Sequence, residues 1–229
     1  ARPETGTLSV YAASSLTDAF SELETVFEAA HPDIDVSVTY AGSQILRLQI
    51  EQGAPADVFA SANPEHMQAL VDSGLVDESR VFVRNELVVI VPLDNPAGIE
   101  VLEDLPEASR IVLGTSNVPV GRYAREVLRL AAPSLGESVE AMVLSRRVSE
   151  ESNVRLARAK VELGEADAAI VYRTDAGSAD RVSIVEIPSQ FNVIAEYPIG
   201  VLGRTTVPAT AEAWVALLMS PEGRAVLER

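Results

Sequence analysis

The chain has 229 residues, of which 47% are hydrophobic and 23% are charged, and no stretch approaches about 18 uninterrupted apolar residues, the length that would predict a membrane-spanning helix. Its net charge of −16 argues against nucleic acid or an anionic membrane surface as a partner. The absence of cysteine excludes disulfides, thiolate metal sites and a cysteine nucleophile.

The spacing of the apolar residues predicts strands that alternate with helices along the chain. The predicted strands are 8–12, 34–40, 57–61, 86–92, 110–114, 141–148, 168–172, 182–187 and 193–202. The predicted helices are 16–30, 43–52, 64–72, 121–132, 152–163 and 210–228. This alternation predicts an α/β fold with mainly parallel sheets covered by helices.

Residues typical of helix ends support several of these boundaries. Gly53 follows the second helix as a C′ residue, and Asn63 followed by Pro64 predicts a capped helix start. Ser152 is the predicted cap of the helix 152–163, and Gly164 is expected to end that helix.

The order of the elements predicts two lobes. Lobe I comprises residues 1–83 and 195–229, because the last strand and helix are too small for a domain of their own. Lobe II comprises residues 84–194, with hinge strands near 82–86 and 192–198. A cleft between two lobes is a common place for a small ligand to bind.

Five turns place hydroxyl or backbone donors where a strand is followed by a helix. The pair Ser14 and Ser15 precedes the first helix, where unpaired N–H groups can hold an anion without a charged side chain. The alternative is that one of the two serines simply caps the helix. The other turns are 40–44, 117–121, 150–154 and 171–175. Because parallel strands end at one edge of a sheet, these turns are expected to converge on one crevice.

Sequence motifs for catalysis are missing. The chain contains no G-x-S-x-G, H-E-x-x-H, G-x-G-x-x-G or G-x-x-x-x-G-K segment. A serine hydrolase using Ser14 or Ser43 would lack an evident base, since His31 is expected at a helix end and His66 on a helix surface. Trp214 offers no catalytic group and is expected to pack the last helix against the core. The missing motifs favour a binding protein over an enzyme, and a serine hydrolase stays open as the alternative of a different class.

Several segments resemble the bacterial molybdate-binding proteins, which are the periplasmic components of molybdate import transporters. They are residues 11–16 (YAASSL), 49–62 (QIEQGAPADVFASA), 118–124 (VPVGRYA), 170–176 (IVYRTDA) and 196–199 (EYPI). The resemblance covers essentially the whole chain in the right order. It implies the two-lobed, type II periplasmic-binding-protein fold, with a ligand cleft between the lobes.

The resemblance also implies a set of donors for a tetrahedral oxyanion, with no side chain ligating the metal directly. These donors are the hydroxyls of Ser15 and Ser43, the backbone N–H groups of Val120 and Val154, and the phenol of Tyr172. Val120 stands where the family has alanine, which changes the side chain but keeps the N–H group. Ser14 stands where alanine is often found and is a further candidate donor. The extra carboxylates of tungsten-selective relatives have no matching motif in this sequence.

The function implied by the resemblance is capture of molybdate, and of tungstate, without a cofactor. The protein would be a monomer outside the cytoplasm, in the periplasm or lipid-anchored through an upstream residue, and would deliver the ion to the permease of an ABC transporter. A doubly charged oxyanion offers only acceptors, so a site made of donors fits it.

Two other kinds of ligand stay open. A phosphate or sulfate binder is one alternative, and a protonated phosphate would need an acceptor such as Asp18 or Asp175. An amino-acid or organic-acid binder would use an arginine for the ligand's carboxylate, with Arg122 and Arg173 as candidates.

Overall fold

The computed structural model describes residues 6–228 of the chain. It divides into two compact units. Unit 1 consists of Ala1–Arg84 and Glu196–Arg229, and unit 2 consists of Asn85–Ala195.

The described residues form nine strands and nine α-helices. The strands are β1 Gly6–Ala13, β2 Ile34–Ala41, β3 Val58–Ala60, β4 Val76–Pro92, β5 Ile111–Gly114, β6 Arg147–Glu151, β7 Ala168–Tyr172, β8 Val182–Val185 and β9 Ile194–Leu202. The helices are α1 Thr17–Ala30, α2 Ser43–Glu51, α3 Pro64–Asp72, α4 Pro119–Leu135, α5 Val139–Ser145, α6 Val154–Glu162, α7 Arg173–Gly177, α8 Pro208–Met219 and α9 Pro221–Leu227. Short 3-10 turns occupy Ser14–Leu16 and Leu102–Glu107. The predicted α/β class is confirmed.

Three predicted elements are wrong in type or extent. The strand predicted at 141–148 is helix α5 followed by strand β6, and α5 buries Val139 and Val143, one helical turn apart. A short apolar run fits both periods, which is why the sequence pattern misassigned it. The single helix predicted at 210–228 is α8 and α9, separated at Ser220 because Pro221 starts a new helix. Strand β4 begins at Val76, ten residues before the predicted strand 86–92. Its first half is rich in charged residues and has no apolar run, so the sequence pattern did not predict it.

Unit 1 is built on the strand order β2-β1-β3-β9. Strands β1 and β2 are parallel, and so are β1 and β3, whereas β9 runs antiparallel to β3 with Ile199 opposite Ala60. Helix α1 packs Phe20 and Phe27 edge-on against Trp214 of α8, at ring-centroid distances of 5.6 and 5.4 Å. The prediction that Trp214 belongs to the core is confirmed, with the side chain fully buried.

Unit 2 is built on the strand order β4-β7-β5-β6, with β8 also paired to β4. Strand β5 runs parallel to β6 and β7, whereas β4 is antiparallel to both β7 and β8. Asp167 fixes the start of β5 against β7. Its carboxylate accepts from the backbone N–H groups of Ser109 and Arg110 and pairs with the Arg110 guanidinium at 2.7 Å. Among residues 6–228, no helix is long and apolar enough to cross a membrane.

Candidate functional site

The carboxyl edge of the unit 1 sheet carries the first two predicted donors. Strand β1 ends at Ala13, directly before the 3-10 turn that contains Ser15, and β2 ends at Ala41, two residues before Ser43. Ala13 and Ala41 are paired across the parallel strands, so the two turns that follow lie side by side. Ser43 is the first residue of α2, after the cap residue Gly42.

The hydroxyl of Ser43 is buried and oriented by a neighbouring turn. Its side chain is 1% exposed, and its Oγ accepts from the backbone N–H of Ala62 at 3.0 Å. A serine hydroxyl accepts through its lone pairs and donates through its single proton. Because the Ala62 amide already points at the oxygen, the Ser43 proton is directed elsewhere. The described residues provide no acceptor for it.

Ser15 shows the same arrangement with a different partner. It is half-buried in the turn, and its Oγ accepts from the Tyr197 hydroxyl at 3.0 Å. The proton of Ser15 therefore also points away from the group that holds its oxygen. Within residues 6–228, it too has no acceptor. Sequence reasoning did not find Tyr197, and the only available signal was its place in the segment 196–199.

Neither serine of the Ser14-Ser15 pair caps a helix through its side chain. The cap residue of α1 is Leu16, and no side-chain cap hydrogen bond is made there or at the start of the 3-10 turn. The alternative that one serine is an ordinary N-cap is therefore wrong. Ser14 is buried, and its carbonyl oxygen accepts from the Thr17 hydroxyl at 2.7 Å.

A third turn at this edge was missed by the sequence analysis. It follows β3 and consists of Ser61, Ala62 and Asn63, of which Ser61 and Asn63 are almost fully buried. The Ser61 hydroxyl donates to the Asn63 carbonyl at 2.8 Å, and the Asn63 side chain caps α3 as predicted. These bonds hold the Ala62 amide in position on Ser43. The sequence signal for this turn was Ser61, a serine directly after a buried strand.

The first turn of α4 forms one predicted donor position of unit 2. Val120 is the second residue of this helix, so its N–H group lies among the amides without an intrahelical acceptor. The helix starts close to the end of β5, because a Cβ on Gly121 would lie 2.2 Å from the carbonyl oxygens of Gly114 and Thr115. The Val120 side chain is itself buried beside Gly114, so the departure from alanine is accommodated within unit 2.

The first turn of α6 forms the second predicted amide position. Val154 is the first helical residue, and the cap is Asn153, whose side chain accepts from the Leu156 N–H at 3.1 Å. The prediction that Ser152 caps this helix is therefore wrong. Strand β6, which leads into this turn, pairs with β5 up to Gly114 opposite Glu151. The amides of Val120 and Val154 consequently follow adjacent parallel strands.

Tyr172 ends strand β7, which is parallel to β5 on the side away from β6. Its side chain is 1% exposed, and its ring meets that of Tyr123 nearly edge-on at a centroid distance of 6.5 Å. The three predicted donors of unit 2 thus follow three neighbouring parallel strands, as the three turns of unit 1 do.

The arginines considered for an organic-acid ligand are differently placed. Arg173 pairs with Glu86 at 2.5 Å and with Glu186 at 2.5 Å. The hydrogen bond to Glu186 is the main reason that the pKa of the Arg173 guanidinium is raised, and the same bond lowers the pKa of the Glu186 carboxyl. Arg173 is therefore already neutralised by two carboxylates. Arg122 is exposed on α4.

The two carboxylates considered for a protonated phosphate differ in their surroundings. Asp175 is fully buried and lies 2.9 Å from the Arg155 guanidinium, so its charge already has a partner. Asp18 is exposed in the first turn of α1. Within the described part of the chain, no three His, Asp or Glu residues are grouped as ligands of a metal ion. The hydroxyl and amide groups predicted as donors are neutral groups at strand ends and helix starts, and their contact with a ligand stays a prediction.

Comparison with known proteins gives consistent similarities. Residues 8–229 match the family described as bacterial extracellular solute-binding protein. The molybdate-binding protein ModA of Mycobacterium tuberculosis H37Rv is 36% identical over 223 residues, which are 96% of this chain and 82% of that protein. YvgL of Bacillus subtilis 168, whose name describes it provisionally as an ABC transporter substrate-binding lipoprotein, is 34% identical over 227 residues, or 97% and 85% of the two chains.

A solved structure shows the same fold. The Azotobacter vinelandii periplasmic molybdate-binding protein superposes with a TM-score of 0.82 at 20% sequence identity, covering 96% of each chain. The predicted periplasmic-binding-protein fold is confirmed by this match.

Proposed function

The chain belongs to the family of bacterial extracellular solute-binding proteins, and from this premise we propose that it captures molybdate outside the cytoplasm and delivers it to the permease of an ABC transporter. The name of the Mycobacterium tuberculosis relative supports the ligand, and the name of YvgL supports the transporter. In this role the protein is a monomeric carrier that performs no chemical step and needs no cofactor.

We propose that a single oxyanion is held by the neutral donors of both units. The donors are the hydroxyls of Ser15 and Ser43, the amides of Val120 and Val154, and the Tyr172 phenol, with Ser14 as a further candidate. The molybdenum atom is then bound only through its oxygens. Tungstate, which has the same charge and shape, is proposed as a second ligand.

The observation that carries the proposal is the orientation of the two serine hydroxyls in unit 1. Each oxygen already accepts a hydrogen bond from within the unit, from Ala62 N–H or from the Tyr197 hydroxyl. Each hydroxyl is therefore arranged to donate. A group that is only an acceptor, such as a fully deprotonated oxyanion, is the ligand that such hydroxyls suit.

The energies are sufficient for tight binding without a charged side chain. A hydrogen bond to a charged group contributes roughly 1.5–3 kcal/mol, so about six of them supply on the order of 10 kcal/mol. After entropy losses this corresponds to nanomolar to micromolar affinity. Sulfate is smaller, so in a site sized for molybdate it leaves donors unpaired and binds more weakly.

Thermal unfolding with added sodium salts tests this function. Molybdate and tungstate are expected to raise the melting temperature, by the equivalent of about 2.7 kcal/mol at 100 times the Kd, while sulfate and phosphate raise it much less. An unchanged melting curve in millimolar molybdate would contradict the proposal. A larger shift with sulfate or phosphate would reassign the ligand, and turnover of a generic ester would favour a hydrolase.

A further inference from the structure

We infer that Tyr197 is a positioning residue of the oxyanion site, whose hydroxyl turns Ser15 so that Ser15 donates to the ligand. The inference rests on the proposed function and deepens it. In this role Tyr197 acts without contacting the ligand. Its effect on binding passes through the Ser15 hydroxyl, to which it donates at 3.0 Å.

The fold brings these two residues together across 182 positions of sequence. Strand β9 is antiparallel to β3, with Ile199 opposite Ala60, and the Ser61 N–H donates to the carbonyl of Pro198. The residue before Pro198 therefore lies at the edge of the sheet where β1 and β3 end. Tyr197, on the antiparallel strand β9, therefore lies next to the turn that contains Ser15.

The burial of Tyr197 keeps its hydroxyl beside Ser15. The residue is 1% exposed, so its phenol is held by its surroundings rather than by bulk water. A serine hydroxyl can turn either its proton or a lone pair towards a neighbour. A lone pair facing a doubly charged oxyanion would be repelled. The Ser15 oxygen uses one lone pair to accept the hydrogen bond from Tyr197. This favours the orientation in which the Ser15 proton points to the ligand.

Ser43 has the same arrangement with a backbone donor. The Ala62 N–H donates to the Ser43 Oγ at 3.0 Å, as the Tyr197 hydroxyl donates to the Ser15 Oγ. In both cases the serine oxygen accepts a hydrogen bond from another group of unit 1. At Ser15 this proton comes from a side chain, so a single substitution can remove it.

A double-mutant cycle tests the inference. Tyr197→Phe removes the hydroxyl and keeps the ring, and molybdate affinity is measured by calorimetry for the wild type, Tyr197→Phe, Ser15→Ala and the double variant, well below their melting temperatures. We expect Tyr197→Phe to weaken binding about 3- to 10-fold in the wild type, the size of one neutral hydrogen bond. In the Ser15→Ala background, the same change is expected to have no effect.

A matched control uses Tyr11, which packs against the core of unit 1 and carries a phenol on strand β1. Tyr11→Phe is expected to leave affinity unchanged. A merely structural role for Tyr197 would weaken binding equally with and without Ser15, and that result would overturn the inference, as would unchanged affinity of Tyr197→Phe. Failure of the wild type to bind molybdate would instead contradict the proposed function itself.

Discussion

The value of a hydroxyl as a donor depends on where its one proton points, and in unit 1 this direction is set for two serines. Ser43 and Ser15 each receive a hydrogen bond on Oγ, one from an amide and the other from a phenol. In the proposed site, removing such a hydroxyl deletes a bond to the ligand and also leaves the buried amide or phenol that held the oxygen without its acceptor. Affinity and stability should therefore both fall.

The donor assignment predicts the effect of single substitutions. Ser15→Ala, Ser43→Ala and Tyr172→Phe are each expected to weaken molybdate binding by about 1–3 kcal/mol, since each removes a hydrogen bond to a charged ligand. Calorimetric titration measures this directly. Ser73→Ala is the matched control, because the Ser73 hydroxyl donates to the Leu70 carbonyl at the end of α3. Unchanged affinity in all three donor variants would contradict the assignment.

The carboxyl of Glu24 has a raised pKa. Desolvation is the main cause, followed by the nearby charges of Glu28 and Asp35. A carboxyl whose pKa is raised by folding stabilises the fold most below the ordinary glutamate pKa of 4.5, and this contribution is lost as the pH rises through the raised pKa. Glu24→Gln is therefore expected to raise the melting temperature at pH 7 and to have little effect near pH 3.5.

Melting curves at the two pH values check this expectation. Glu212→Gln, at an exposed position of α8, is the control for a simple loss of one negative charge from this acidic chain. An equal rise in melting temperature for both variants at pH 7 would show that net charge, rather than the surroundings of Glu24, is responsible.

At the scale of elements, the start of α4 depends on Gly121. A Cβ at Gly121 would lie 2.2 Å from two carbonyl oxygens, so Gly121→Ala is expected to cost about 1–3 kcal/mol or more in the free energy of unfolding. Denaturant unfolding measures this cost. Gly177→Ala is the matched control, because a Cβ there meets nothing within 4 Å. Equal stability of the two variants would show that the helix start can shift freely.

The turn 117–121 was predicted from its own residues as a helix start, although the helix begins at Pro119 rather than at 121, and Val120 was identified as a donor only through the family resemblance. A strand, a proline at the first helical position and a glycine two residues later mark the place where a helix begins against a sheet. The α/β class and most strand positions were predictable for a similar reason, because long apolar runs have a clear period. The parallel order of β1, β2 and β3 follows from the intervening helices.

The parts that sequence could not supply depend on contacts between distant segments. The role of Tyr197 requires the antiparallel return of β9 beside β3, which no local pattern encodes. Asp57, in the recognisable segment 49–62, accepts from the Ser9 N–H at 2.8 Å and from the Thr205 hydroxyl at 2.7 Å. Its place in that segment is thus explained by packing rather than by ligand binding. The choice of Asn153 over Ser152 as a cap needed backbone geometry.

At the scale of the whole molecule, the net charge of −16 opposes the approach of an anion. The Debye length shrinks from about 30 Å at 0.01 M salt to about 8 Å at 0.15 M, so distant carboxylates are screened while dipoles in contact with the ligand are not. Molybdate affinity is therefore expected to rise when sodium chloride is increased over this range. Calorimetry at both ionic strengths measures the change, and weaker binding at the higher salt concentration would contradict this account.

The division of the chain has a consequence for how the protein is made. Unit 2 is one uninterrupted segment, Asn85–Ala195, whereas unit 1 needs both its early strands and Glu196–Arg229. As the polypeptide leaves the ribosome or the export channel, unit 2 has all its residues first. The half that carries Ser15 waits for β9, and Tyr197 arrives with that last strand. A truncated product that lacks the final segment would thus keep every residue of unit 2 and lose part of unit 1.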